Sequence, residues 1–99
     1  MTDSPRAESH YVLEGRYDAL RSTELDRRLQ ELYDRGAKTI VLDLGQVTYI
    51  SSSSLRVLLM AHRRAVGVGG RVVLANTPER ILRLFRMAGF DRVFDLHSS

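Results

Sequence analysis

Thr39-Ile40-Val41-Leu42-Asp43-Leu44 (TIVLDL) stands a short way before Ser51-Ser52-Ser53-Ser54-Leu55, and reading these two stretches together sets the architecture. The first is a nearly continuous β-branched and aliphatic run. Such a run reads as a central sheet strand covered on both faces. Val47 to Ile50 is either a short continuation of it or the approach to the next helix. After the serines, Leu55, Leu58, Leu59, His62 and Val66 repeat at helical spacing, with Arg56, Arg63 and Arg64 mostly off that stripe. Gly67, Gly69 and Gly70 end the helix, and Arg71 to Ala75 (RVVLA) reads as a second buried strand.

The same alternation continues outward in both directions. Thr77-Pro78-Glu79 is a helix start, with a cap, then Pro at the first position, then an acid. Ile81, Leu84, Phe85 and Ala88 line one face of that helix. Gly89 should stop it, with Phe90 folding back onto Phe85. Val93 to Leu96 is a short last strand. Upstream, His10 to Gly15 (HYVLEG) reads as a first strand ending at the glycine. Leu25, Leu29, Leu32 and Tyr33 predict a helix over 23–35, capped by Ser22 or Thr23 and stopped at Gly36. Glu24 and Asp26 suit the positive end of its dipole. Strands alternating with helices give an α/β fold with parallel sheet.

The chain has 99 residues, which fits one domain over 9–99, with 1–8 reading as a disordered tail. No apolar run approaches the roughly 18–20 residues of a membrane span. Met1 to Ser9 is polar, without the apolar core of a signal peptide, so the expected location is cytoplasmic. There is no cysteine, which excludes disulfides, thiolate chemistry and Cys-based zinc sites. His10, His62 and His97 lack metal-ligand spacing. No metal or other cofactor is expected.

Charge is divided unevenly along the chain. Residues 1–50 carry nine acids and seven bases, and residues 51–99 carry three acids and eight bases. Fourteen of the fifteen basic side chains are Arg. Arginines on solvated helix faces explain this simply. A surface that docks an acidic partner explains it too, because guanidinium forks pair bidentately with carboxylates. With no Trp and few other aromatics, direct nucleic-acid binding is not expected.

Four serines before an apolar helix support two readings. Serine oxygens cap the free N–H groups of the first turn, and one serine suffices for that. A phosphate is also favoured at such a helix start, and it would add nearly two negative charges to any interface there. Catalytic patterns are weak by comparison. No serine lies in a G-x-S-x-G setting, and Gly67-x-Gly69-Gly70 follows a helix and precedes a strand, the wrong order for a dinucleotide loop. Asp18 and Asp43 read as lone loop and strand acids, and His62 as a half-buried core histidine. The chain is expected not to be an enzyme.

Several motifs together resemble the STAS domain of anti-anti-sigma factors. Leu13 to Asp18 (LEGRYD) resembles the family's "G-x-[LIF]-D" lead-in, and Gly36 with Thr39 to Leu44 resembles its central strand. Val47 to Leu55 (VTYISSSSL) is similar to its hallmark "v-x-[FY]-[IM]-D-S-[ST]-G-L". Gly69 to Leu74 and Ile81 to Phe90 resemble its later strand and helix. The likeness spans about residues 10–96.

It implies a mostly parallel sheet of four or five strands with helices packed against it. It also implies a switch, in which an anti-sigma factor serine kinase phosphorylates the first serine after the motif Asp, here Ser52. Ser53 and Ser51 are the alternatives. The unphosphorylated antagonist binds the kinase and frees sigma factor, and a PP2C-type phosphatase resets the modified form. Asp18 matches the acidic residue beside the acceptor and Ser53 the second hydroxyl. Partner contacts are expected at Asp18, Ser51, Ser53, Ser54, Arg56 and Arg63.

Two positions depart from the pattern: Ser51 stands for the motif Asp and Ser54 for the motif Gly. The first removes a carboxylate beside the acceptor. The second adds a Cβ where a partner is expected to approach. The family's final helix has no counterpart after Leu96, which would leave a sheet face for a homodimer or partner to cover. A second function fits the same fold: a docking module that is not phosphorylated, in a stressosome-like assembly or an ABC lipid-transport complex.

Overall fold

The computed structural model describes residues 8–98. The elements run β1 (Glu8–Tyr17), α1 (Ala19–Asp34), β2 (Thr39–Ile50), α2 (Ser52–Gly67), β3 (Arg71–Thr77), α3 (Glu79–Met87), one turn of 3-10 helix (Phe90–Arg92) and β4 (Asp95–Ser98). The strands form one four-stranded sheet in the order β1-β2-β3-β4. All three pairings are parallel.

This topology corrects one expectation about the central strand. Ile40, Leu42 and Leu44 of β2 are wholly buried, but Thr39, Val41 and Asp43 are only half-buried. On the neighbouring strands Leu13, Val72 and Leu74 are buried, while Val12 is 51% exposed and Val73 and Ala75 are half-buried. Crossovers between parallel strands are right-handed. When the strands advance in one direction, every right-handed crossover places its helix on the same face. The core therefore gathers on one side, where Leu25 and Leu29 of α1, Leu58, Ala61 and Ala65 of α2, and Ile81 and Phe85 of α3 join the strand residues in one cluster. An unbroken aliphatic run does not reveal that its second face is thinly covered by the described residues.

Several boundaries also move. Glu8, placed by sequence in the tail, pairs with Thr39 at the start of β1; the rest of the tail lies outside the described residues. β1 continues past Gly15 to Tyr17, with irregular register around Leu13 and between Gly15 and Arg16. α1 begins at Ala19, one turn before the predicted start, because Asp18 caps it. Ser22 is buried, and its hydroxyl donates to the Ala19 carbonyl. Val47 to Ile50 continues β2.

In α2, Val66 is 59% exposed rather than on the buried stripe. The buried face of α3 is Ile81, Leu82 and Phe85; Leu84 and Ala88 face outward. Thr77 is the last residue of β3, buried, and Pro78 holds the cap position without a side-chain bond. Gly36 and Gly89 adopt left-handed φ of 98° and 79°, as expected of the residues after a helix. Phe90 lies edge-on to Phe85 at 6.5 Å. The last strand starts at Asp95, two residues later than predicted.

Candidate functional site

The ends of β1 and β2 lie side by side, with Tyr17 paired to Ile50. Both strands finish there, so Asp18 and Ser51, the residues that follow them, stand at the same edge. Each opens a helix. Asp18 is in extended conformation, and its Oδ1 accepts from the Arg21 N–H at 3.0 Å. Ser51 is likewise extended, and its Oγ accepts from the Ser54 N–H at 3.2 Å. Both side chains satisfy donors that a helix start otherwise leaves free. Ser51 thus fills the capping position that an aspartate would also fill, without the charge.

The four serines are not equivalent. Ser54 is wholly buried, and its hydroxyl donates to the Tyr17 carbonyl at 3.1 Å. The Ser51 hydroxyl donates to Ser54 Oγ at 3.2 Å. Its single proton is thereby used, so the 3.1 Å contact between Ser51 and Ser53 has Ser53 as donor. The backbone N–H of Ser51 also donates to the Tyr17 carbonyl, at 2.8 Å. Three hydroxyls therefore form a relay, from Ser53 through Ser51 to Ser54, that ends on the Tyr17 carbonyl of β1. Ser52 is exposed, and among the described residues its hydroxyl has no hydrogen-bond partner.

The added Cβ of Ser54 points inward, so in this conformation it offers no surface to a partner. Asp18, Ser51 and Ser53 are half-buried around Ser52. Arg56 and Arg63 are exposed on α2, Arg56 about one turn after Ser52 and Arg63 about three turns after it. His62 is half-buried, edge-on to Phe94 at 5.4 Å, and its Nδ1 lacks a partner among the described residues.

Sequence reasoning missed Arg21 and Tyr17. The Arg21 guanidinium donates to the carbonyls of Glu14 at 2.7 Å and Arg16 at 3.3 Å, and to the Tyr17 hydroxyl at 3.1 Å. It also lies over the Tyr17 ring, 4.0 Å from its centroid. It thus ties the irregular end of β1, whose Tyr17 carbonyl anchors the serine relay, to α1. Burial raises the Tyr17 phenol above its ordinary range, with the Arg21 charge opposing. The i, i+4 spacing of Tyr17 and Arg21 was the available signal, but it becomes meaningful only once α1 begins at Ala19. On the rim, Arg16 lies over the Tyr49 ring at 4.2 Å, and Leu20 is 84% exposed.

Among the described residues no three His, Asp or Glu side chains are grouped to hold a metal ion. No described helix is long and apolar enough to cross a membrane.

Comparison with known proteins agrees with this geometry. A relative in Bordetella bronchiseptica, the BtrV protein, described as a candidate anti-sigma factor antagonist, is 32% identical over 87 residues, covering 88% of this chain and 75% of that one. The crystal structure of a candidate anti-sigma factor antagonist from Thermotoga maritima superposes with a TM-score of 0.82 at 19% identity, covering 91% of this chain and 80% of that one. The unphosphorylated anti-sigma factor antagonist SpoIIAA gives 0.81 at 18% identity, with 94% and 82% covered. The family model described as "Mlab, STAS domain" matches residues 1–97. The chain belongs to the STAS-domain family, with the SpoIIAA-like fold and a likeness to anti-sigma factor antagonists.

Proposed function

We propose that this protein is an anti-sigma factor antagonist whose binding to its partner is switched by phosphorylation of Ser52. One observation carries the reading. Ser52 alone of the four serines is exposed, with no hydrogen-bond partner for its hydroxyl among the described residues, while Ser51, Ser53 and Ser54 are bound into the relay on Tyr17. A kinase can reach Ser52 without breaking that relay.

The partner is a serine-kinase anti-sigma factor carrying a nucleoside triphosphate. The Ser52 oxygen attacks the γ-phosphorus, the bond to the leaving nucleoside diphosphate breaks, and the hydroxyl proton passes to a base on the kinase. The phosphate adds nearly two negative charges on a surface that also carries Asp18. The kinase then dissociates and recaptures sigma factor. A PP2C-type phosphatase restores the hydroxyl. The chain itself acts by binding rather than catalysis, in the cytoplasm.

Ser51 is the observation that favours a second reading. With no carboxylate beside the acceptor, a docking module that is never phosphorylated is the competing account. Binding to the cognate kinase-type anti-sigma factor separates the two. Wild type and Ser52→Ala are expected to bind alike, and Ser52→Asp at least about tenfold more weakly, a difference of about 1.4 kcal/mol. Equal affinity of all three would overturn the switch.

A further inference from the structure

We propose that Arg56 is the intramolecular receptor for the phosphate on Ser52, an inference that rests on the phosphorylation reading above. Ser52 is the first residue of α2, and Arg56 lies four residues on, so both stand on one face. Their Cβ atoms are about 5–6 Å apart by helix geometry. Both are exposed. Helical side chains lean toward the N-terminus, so the Arg56 stem is directed back along the helix toward Ser52.

Most of the neighbouring arginines are already engaged. Arg16 and Arg21 lie over tyrosine rings, and Arg80 reaches the Thr48 carbonyl at 3.4 Å. Arg56 has neither a hydrogen bond nor an ion pair among the described residues. No acid lies in the first turn of α2 to compete for it. Among the described residues, the charged groups at the adjoining ends of other elements are Arg16 and Asp18 at the end of β1, Arg21 on α1, and Arg80, which reaches the end of β2 from α3.

A phosphate on Ser52 therefore meets a guanidinium able to fork onto two of its oxygens. The consequence for the switch is double. Phosphorylation adds negative charge, and it also withdraws the cation that an acidic partner would meet in the unmodified form. Arg63, about 16 Å along the axis from Ser52, is too distant to serve.

The test places phosphoserine at position 52 during translation, in otherwise wild-type protein and in Arg56→Gln and Arg63→Gln, and follows the phosphorus resonance against pH. A phosphoserine ordinarily takes its second ionisation near pH 6. In the wild-type background the midpoint should lie about half a pH unit or more below that in Arg56→Gln, and Arg63→Gln should match wild type. Coincident midpoints for wild type and Arg56→Gln would overturn the proposal. So would an equal shift on removing Arg63, which would mark a diffuse field rather than a receptor. Because the phosphate is installed without a kinase, this result is independent of whether cells modify Ser52. Absence of phosphate in cells would sink the switch while leaving the Arg56 contact measurable.

Discussion

The Ser54 hydroxyl donates a 3.1 Å hydrogen bond to the Tyr17 carbonyl, joining the first turn of α2 to the end of β1 across 37 positions of sequence. The same carbonyl accepts the Ser51 N–H at 2.8 Å. The start of the helix that carries Ser52 is thus fixed to the sheet at two points. A modification on Ser52 then changes a surface of set shape rather than a loose turn, which is what a charge-operated switch needs.

Removing the Ser54 hydroxyl should loosen this attachment. Ser54→Ala is expected to lower stability by about 1 kcal/mol, the net value of a buried neutral hydrogen bond. Urea unfolding measures it. An unchanged midpoint at unchanged slope would show that the bond contributes nothing.

Ser51 acts through its cap. Ser51→Ala should cost about 1 kcal/mol, while Ser51→Asp should remain within about 0.5 kcal/mol of wild type, because aspartate caps as well as serine. The same pair of variants in a kinase assay reports whether a carboxylate next to the acceptor alters the phosphorylation rate. A large loss of stability in Ser51→Asp would show that the hydroxyl relay, rather than the cap, sets this turn.

Gly70 has a stricter requirement. A Cβ there would stand 1.8 Å from the Lys38 carbonyl oxygen, which is backbone and cannot swing aside. That carbonyl accepts the Arg71 N–H at 3.0 Å, at the start of the β2–β3 pairing. Gly70→Ala should cost about 3 kcal/mol or prevent folding, at the upper end of overpacking penalties. Thermal unfolding or soluble yield would show it, and a wild-type melting temperature would contradict the close approach.

Tyr33 gives stability a dependence on alkaline pH. Its hydroxyl donates to the Ala61 carbonyl at 2.9 Å, and burial pushes the phenol up from 10.0 to about 12 against the opposing charge of Arg64. Between those values the unfolded chain releases the proton and the folded one keeps it. The contribution is whole below pH 10 and is lost progressively as pH rises to about 12. Tyr17, raised in the same direction, adds to the slope. Unfolding free energy followed over this range should fall less steeply in Tyr33→Phe, and parallel curves would contradict the assignment.

The order of elements was legible because each has strong local signals: Thr39 to Leu44 as a strand, the Leu55–Leu58 stripe as a helix, and Gly36 and Gly89 as stops. The start of α1 was not. Three capping residues, Asp18, Ser22 and Thr23, stand close together, and only the position of Tyr17 against Ile50 selects the first. The single-sided core was hidden for a related reason, since strand order is a property of the whole chain. At the site, the serine run was visible, but the bonding of three of its hydroxyls, with Ser52 left outside the relay, depends on the Tyr17 carbonyl, which is distant in sequence. The helical phase of α3 was misread because Leu82 and Leu84 are the same residue type two positions apart, and packing alone chooses between them.

The most direct test is intact and tandem mass spectrometry of the protein purified from its own cells, across growth and stress conditions. The account predicts one phosphate on part of the population, localised to Ser52. Phosphate on Ser51 or Ser53 instead would contradict the assignment of Ser52, and none under any condition would contradict the switch and leave the unmodified docking module as the function of this fold.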